Sequence, residues 1–200
     1  MKKLLLIFPL IFLLIFGILV AYSYSQLTVE LTDVYYSSIE LKELSWTDLI
    51  SLGITILSGN RIDAISDLIL GINLNLIFEL KNDGLLPVFV PDFSYEVLIN
   101  DIVMGYGVAD AGVVINPGEK YEIPSFQNIQ KNNLSHMVNS IIAAKGVVDI
   151  TVKGSAYFEL LWFDIPVPFQ SVKQISIYDE INVALTDRYF PDGLVNFEFP

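Results

Sequence analysis

The chain has 200 residues, is 53% hydrophobic, contains no cysteine and carries a formal net charge of −12. That length allows one ordinary domain plus an appendage. The missing cysteines exclude disulfide staples, thiolate metal sites and a cysteine nucleophile, and the acidity excludes nucleic acid as a partner, because the field of such a surface repels polyanions.

The apolar excess has a local source. The opening MKKLLLIFPLIFLLIFGILVAYSYS is apolar from Leu4 to Tyr22, and as a helix rising about 1.5 Å per residue it spans roughly the 30 Å hydrocarbon layer. Residues 1–25 are read as a retained single-pass transmembrane anchor. The competing reading is a cleaved signal peptide and a secreted product: Lys2 and Lys3 make a basic start, and Ala21 to Ser25 offer small-residue cleavage sites. A signal core is usually only about 7–15 residues, however, and Pro9 is tolerated in a membrane helix. No Lys or Arg follows until Lys42, so the positive-inside bias puts the amino terminus in the cytoplasm and the rest of the chain on the outer side. Beyond the anchor lie all 23 acidic residues and nine of the 11 basic ones, a net charge of −14.

QLTVELTDVYY (26–36) alternates as a half-buried strand does, with Leu27, Val29 and Leu31 on one face. Residues 43–70 read as a helical insert. Ser45 followed by Asp48 resembles a capped helix start, with Trp46, Ile50, Gly53 and Leu57 as the apolar stripe, although GITIL at 53–57 suits a strand equally well. A second short helix is suggested by Asn60 as cap and Gly71 as terminator. The insert is apolar enough to pack either on the domain or on a bilayer. INLNLIFEL (72–80) then places Ile72, Leu74, Leu76, Phe78 and Leu80 on one face, and FSYEVLI (93–99) places Phe93, Tyr95, Val97 and Ile99. Asn100-Asp101 reads as a tight turn into IVMGYGVAD, and Asn116-Pro117-Gly118 suits a type II turn.

NNLSHMVNSIIAAK (132–145) has helical periodicity and a Gly146 stop. VVDITVKGSAYFEL follows as a long strand with Val148, Ile150, Val152, Gly154, Ala156, Phe158 and Leu160 on one face, and the proline-marked DIPVPFQSVKQISI turns into a last strand. The tail from 179 to 200 mixes aromatics with acids and either adds an edge strand or docks along the domain. About seven strands and few helices favour an antiparallel β-sandwich over 26–178 rather than an α/β sheet.

Chemistry-bearing patterns are sparse. The one histidine, His136, falls on a polar position of the 132–145 helix, and no G-x-S-x-G, His-Glu-x-x-His or phosphate-loop spacing occurs. Asp187, Asp192 and Gly193 come nearest to a calcium loop and lack its spacing. Trp46 and Trp162 would form a sugar platform if exposed, but apolar neighbours favour core packing for both. Asn133-Leu134-Ser135 is a glycosylation acceptor pattern, and Asn133 equally suits a helix cap. No catalytic residue, metal or cofactor is expected. A partner protein or wall polymer held through a sheet edge or the 43–70 insert remains an open alternative.

The order of motifs from 70 to 177 carries a resemblance. A strand from Phe78 ends in a turn at Asn82, Leu86-Pro87-Val88 follows, then a Tyr95 to Asn100 strand, a strand marked by Gly105 and Gly107, and the turn Asn116-Pro117-Gly118. The later half adds a strand with Gly154 and the run Ile165-Pro166-Val167-Pro168-Phe169. This sequence of elements resembles the water-stress and hypersensitive-response domain of the group-two late embryogenesis abundant proteins. One departure is the turn itself, Asn82-Asp83-Gly84 where the family has Asn-Pro-Asn, although Asp-Gly still supplies turn geometry. The resemblance implies a fibronectin-like sandwich without catalytic residues, associated with desiccation protection and displayed on the outer side of a membrane. On this reading the Asn-Asp-Gly turn is architecture, and Pro87 and Pro91 mark an edge or crossover.

Overall fold

In INLNLIFEL five apolar residues fall on every second position, and in the computed structural model all five are buried. The structure describes residues 2–59, 67–130, 146–160, 163–176, 183–184 and 187–189. Its elements are a helix α1 (Lys2–Ser25), strand β1 (Leu27–Leu41), helix α2 (Trp46–Leu57), and strands β2 (Ile69–Asn82), β3 (Val88–Ile99), β4 (Ile102–Ile115), β5 (Glu119–Gln130), β6 (Val147–Leu160) and β7 (Phe163–Ser176). The strands form two antiparallel sheets, ordered β1-β2-β5 and β4-β3-β6-β7, packed face to face. The expected mainly β sandwich is therefore the observed fold.

The inner faces meet in an aromatic cluster. Phe78 of the first sheet lies 4.9 Å from Phe93, 5.1 Å from Tyr95 and 5.8 Å from Phe169, all three on the second sheet. Each such side chain contributes about 1.5–3 kcal/mol by leaving water, and edge-on ring pairs add about 0.5–1.5 kcal/mol. Without disulfides, these contacts and the aliphatic positions around them hold the sheets together.

Register ties both sheets to two ends. At the lower end Leu27 pairs with Asn82, Asn82 with Glu119, Val88 with Ile115 and Leu160 with Phe163. At the upper end Ile99 pairs with Ile102 across Asn100 and Asp101, whose φ values of 47° and 66° make the tight hairpin turn read from the sequence. α1 joins at the lower end through Gln26 alone, and its residues from Phe8 to Ile18 are exposed, so it projects away from the sheets. α2 sits at the far end of β1, about 45 Å along a 15-residue strand.

Several expectations are corrected. The first strand runs to Leu41 rather than Tyr36. It slips register between Leu31 and Asp33, so Val34 follows Leu31 inward. Gly71 terminates no helix. It lies inside β2, opposite Glu40 and Gln130, and β2 already begins at Ile69, so the insert ends two residues before position 70. Residues 53–57 are helical, not extended. The start of α2 is a capping box, with the Asp48 amide donating to Ser45 Oγ at 3.3 Å and the Ser45 amide to Asp48 Oδ2 at 3.0 Å. The Ser45 hydroxyl, donating to Asp48 Oδ2 at 2.6 Å, and then the Ser45 amide hold the Asp48 carboxyl below its usual range. Among the described side chains of α2, Leu52 is buried, while Ile50 of the expected stripe is exposed. α2 and the base of α1 thus lie at opposite ends of β1.

Pro91 is neither on an edge nor in a crossover. β3 is flanked by β4 and β6, and Pro91 sits where register slips between Val90 and Asp92, a bulge that needs no ladder donor from it. Pro87 does lie in the connection from one sheet to the other. Of the tail, residues 187–189 are helical, and Tyr189 packs against the core with its hydroxyl donating to the Lys42 carbonyl. The helix expected over 132–145, with His136 and Asn133, and the second helix proposed after Asn60 fall largely outside the described residues, as do Trp162 and the side chain of Trp46.

Gly154 tests the sheet packing directly. A Cβ there would stand 2.2 Å from the Ser94 carbonyl oxygen and 2.9 Å from the Tyr95 Cα. Gly154→Ala is expected to lower unfolding free energy by at least about 2 kcal/mol through overpacking, read from the urea midpoint of the full chain in detergent, while Ser155→Ala beside it stays near wild type.

Candidate functional site

Six of the turn and strand residues singled out in the sequence gather at the lower end, around Asn82. Asn82 continues the inward parity of Leu76, Phe78 and Leu80, so its side chain points into the floor of the core and is fully buried. A buried amide needs partners for both donors and its acceptor. Asn82 Nδ2 donates to the Leu86 carbonyl at 2.8 Å and to the Ile115 carbonyl at 2.9 Å, and its Oδ1 accepts from the Gly84 amide at 3.0 Å. Its backbone carbonyl accepts from the Gly118 amide at 2.6 Å. The residue thus joins the 83–87 connection to the 116–118 turn.

That second turn has the expected geometry. Gly118 has a φ of +81°, which a side chain would strain, and the Glu119 amide closes the turn on the Asn116 carbonyl at 3.0 Å. Pro117 occupies the position between, and Glu119 Oε2 accepts from the Asn116 amide and side chain at 3.0 and 2.9 Å.

The 83–87 connection also grips the base of α1. The Asp83 amide donates to the Gln26 carbonyl at 3.1 Å, and the Leu85 amide donates to Ser23 Oγ at 3.1 Å. Gly84 lies so close that a Cβ would stand 2.9 Å from the Ser23 Cα and carbonyl oxygen. Ser23 is itself fully buried. On the other sheet, Tyr24 donates its hydroxyl to the Pro166 carbonyl at 3.2 Å. Both sheets therefore hold the last turn of α1. Pro166 and Pro168 lie on β7, an edge strand, where a missing donor is tolerated.

The remaining motif residues lie higher, between the sheets. The Tyr95 hydroxyl shares a 2.7 Å hydrogen bond with Ser125 Oγ on β5. Its ring fills the space over Gly107, where a Cβ would come within 2.3 Å of it, while Gly105 makes room for Gln127 at 3.0 Å. Burial raises the Tyr95 phenol above its usual value, opposed by the Ser125 bond. Because the raised value favours the neutral form in the folded chain, this contribution is complete below the ordinary phenol range and is lost as pH rises through the raised one. Asn100 belongs to the upper hairpin turn, and its Oδ1 accepts from the Asp149 amide at 3.1 Å. Asn133 lies outside the described residues.

The structure brings Asn82, Gly84, Pro87, Asn116, Pro117 and Gly118 together, and leaves Asn100, Tyr95, Gly105, Gly107 and Gly154 as separate packing positions. Sequence reasoning missed Ser23, Tyr24 and Ser125. Ser23 and Tyr24 read there as cleavage-site residues, and nothing local marks their partners, which lie 62 and 142 positions away. Among the described residues no group of three or more His, Asp or Glu side chains could hold a metal ion. An open depression between Ile39, Leu41, Ala184, Asp187 and Arg188 marks where the tail meets the end of β1.

No family model matches this chain, and no curated protein matches it in sequence. Solved structures do. A crystal structure of a protein from Archaeoglobus fulgidus is 12% identical and covers 73% of this chain and 96% of its own, with a TM-score of 0.43. A solution structure of an Arabidopsis thaliana protein is 10% identical, covering 74% and 83%, with a TM-score of 0.47. A solution structure of a protein described as late embryogenesis abundant is 12% identical, covering 76% and 74%, with a TM-score of 0.39.

Asn82→Ala would leave the Leu86 and Ile115 carbonyls without their donor in a dry site. The expected loss is about 3 kcal/mol, measured as a lower urea midpoint with an unchanged slope. Asn82→Asp, which keeps an acceptor for Gly84 but buries a charge against two carbonyls, is expected to be worse than alanine above neutral pH.

Proposed function

We propose that this protein is a membrane-anchored, non-catalytic sandwich domain on the outer face of the cell, of the water-stress type, with a protective or structural role at the envelope. The observation that carries the anchored part is the clamp on α1. A helix with an 18-residue window of mean hydropathy 2.0 ends in a turn gripped by both sheets, so the sandwich is mounted directly on the helix with no flexible stalk. A cleavage after Ser23 would remove the Leu85 bond, and one after Ser25 would remove the Tyr24 bond as well.

The protective part rests on the motif order from 70 to 177 and on charge. The motif residues have structural tasks that account for their identity: a core plug, two turns and close approaches between strands. Outside α1 the chain carries −14, and a field of that sign holds counter-ions and water near the surface while repelling anionic polymers. The few cations are partly neutralised, as in Lys120 with Glu79 at 2.9 Å and Lys153 with Glu96 at 2.9 Å. Hydrogen bonding to Glu79 raises the Lys120 ammonium above its usual value.

A second reading, an accessory subunit, is favoured by β4. This 14-residue strand is an edge of its sheet, carries a single charge at Asp110, and exposes Val103, Tyr106, Val108 and Val114. Long apolar edges invite an added strand from another chain.

Two measurements separate these readings. After an alkaline wash of native membranes the full-length chain is expected to stay in the pellet, and external protease is expected to remove the sandwich; release into the supernatant would remove the anchor. Cells lacking the protein are expected to survive drying or osmotic shock less well, whereas unchanged survival together with a stoichiometric partner in detergent extracts would replace the protective role with the subunit reading.

A further inference from the structure

The clamp fixes more than the helix, because it also fixes the depth of the loop that grips it. The apolar run from Leu4 to Tyr22 measures about 28 Å as a helix, close to the thickness of the hydrocarbon layer. Tyr22 and Tyr24, both exposed, therefore fall at the boundary between acyl chains and headgroups, where amphipathic rings concentrate. Leu85 is tied to that level by its 3.1 Å bond to Ser23. The neighbouring Leu86 packs against the core, whereas Leu85 points outward and is 58% exposed.

An exposed leucine at a loop tip has no structural task in the sandwich. Beside it, Lys81 and Asp83 are paired, and the other exposed acids of this end, Glu119, Glu159 and Asp164, sit on the strands rather than on the loop. We propose that the lower rim of the sandwich, centred on Leu85 and flanked by Tyr22 and Tyr24, is a lipid-binding surface that seats in the headgroup and upper acyl region of the bilayer crossed by α1. This rests on the reading of α1 as a retained span. The surface takes phospholipid by burial of apolar side chains rather than by recognition of a particular headgroup. Because Ser23, Tyr24, Leu85 and Pro166 join α1 to both sheets, seating the rim also holds the sandwich at one height above the membrane, with the upper end directed away from it.

The absence of cysteine permits a direct test. Single substitutions Leu85→Cys, Phe16→Cys and Ser58→Cys, at the rim, inside α1 and at the upper end, would each carry a polarity-sensitive fluorophore on the full-length protein in phosphatidylcholine vesicles. Lipids brominated at defined acyl depths serve as quenchers. The expected result is strong loss of fluorescence at position 16, loss at position 85 with the shallow quencher only, and none at position 58. Quenching at 16 with position 85 as unaffected as 58 would overturn the seated rim and leave the anchor standing. No quenching at 16 would overturn the anchor and the rim together.

Discussion

The Asn82 side chain is a polar group at a position that parity assigns to the core, and three chain segments depend on how it is satisfied. Its two donors and one acceptor reach Leu86, Ile115 and Gly84, so the connection out of the first sheet and the return from the second are set by one amide. An apolar residue there would leave two carbonyls of irregular backbone without a donor, at the end of the sandwich where strands no longer supply one. The turn that Asn82 holds then offers its own amides outward, to Gln26 and Ser23. The mount of α1 is thus a consequence of how the floor of the core is closed.

Higher in the sandwich the constraint is steric. Phe78 reaches across to Phe93, Tyr95 and Phe169, and sheets packed around such bulky rings need glycine where backbones or rings come closest. Gly154 lets β6 lie against β3, and Gly107 lets the Tyr95 ring cross β4 to bond Ser125. The glycines and the aromatic residues belong to one packing solution. A bulge at Pro91 inside a central strand belongs to the same trade between regular pairing and local fit.

Function follows from placement. The clamp puts the apolar loop tip at Leu85 beside α1, while α2 and the described tail residues around Tyr189 lie at the other end of β1. The acidic sheets lie between. On the reading of α1 as a span, this gives a charged, hydrated body held close to lipid, with the β4 edge left as its least charged surface.

The sequence by itself determined the class of fold and the inner face of most strands, because alternation has a period of two and holds over 72–82, 93–99 and 148–158, the stretches of β2, β3 and β6 that carry no bulge. It also determined the two hairpin and crossover turns, since Asn100-Asp101 and Asn116-Pro117-Gly118 carry their backbone preferences locally, and the capped start of α2 at Ser45. Only the tertiary structure decided which strands share a sheet, that Pro91 sits in a central strand, that Leu52 rather than Ile50 faces inward, and that Ser23 is a structural residue. Those facts depend on partners tens to more than a hundred positions away, and no local pattern of side chains encodes a contact at that range.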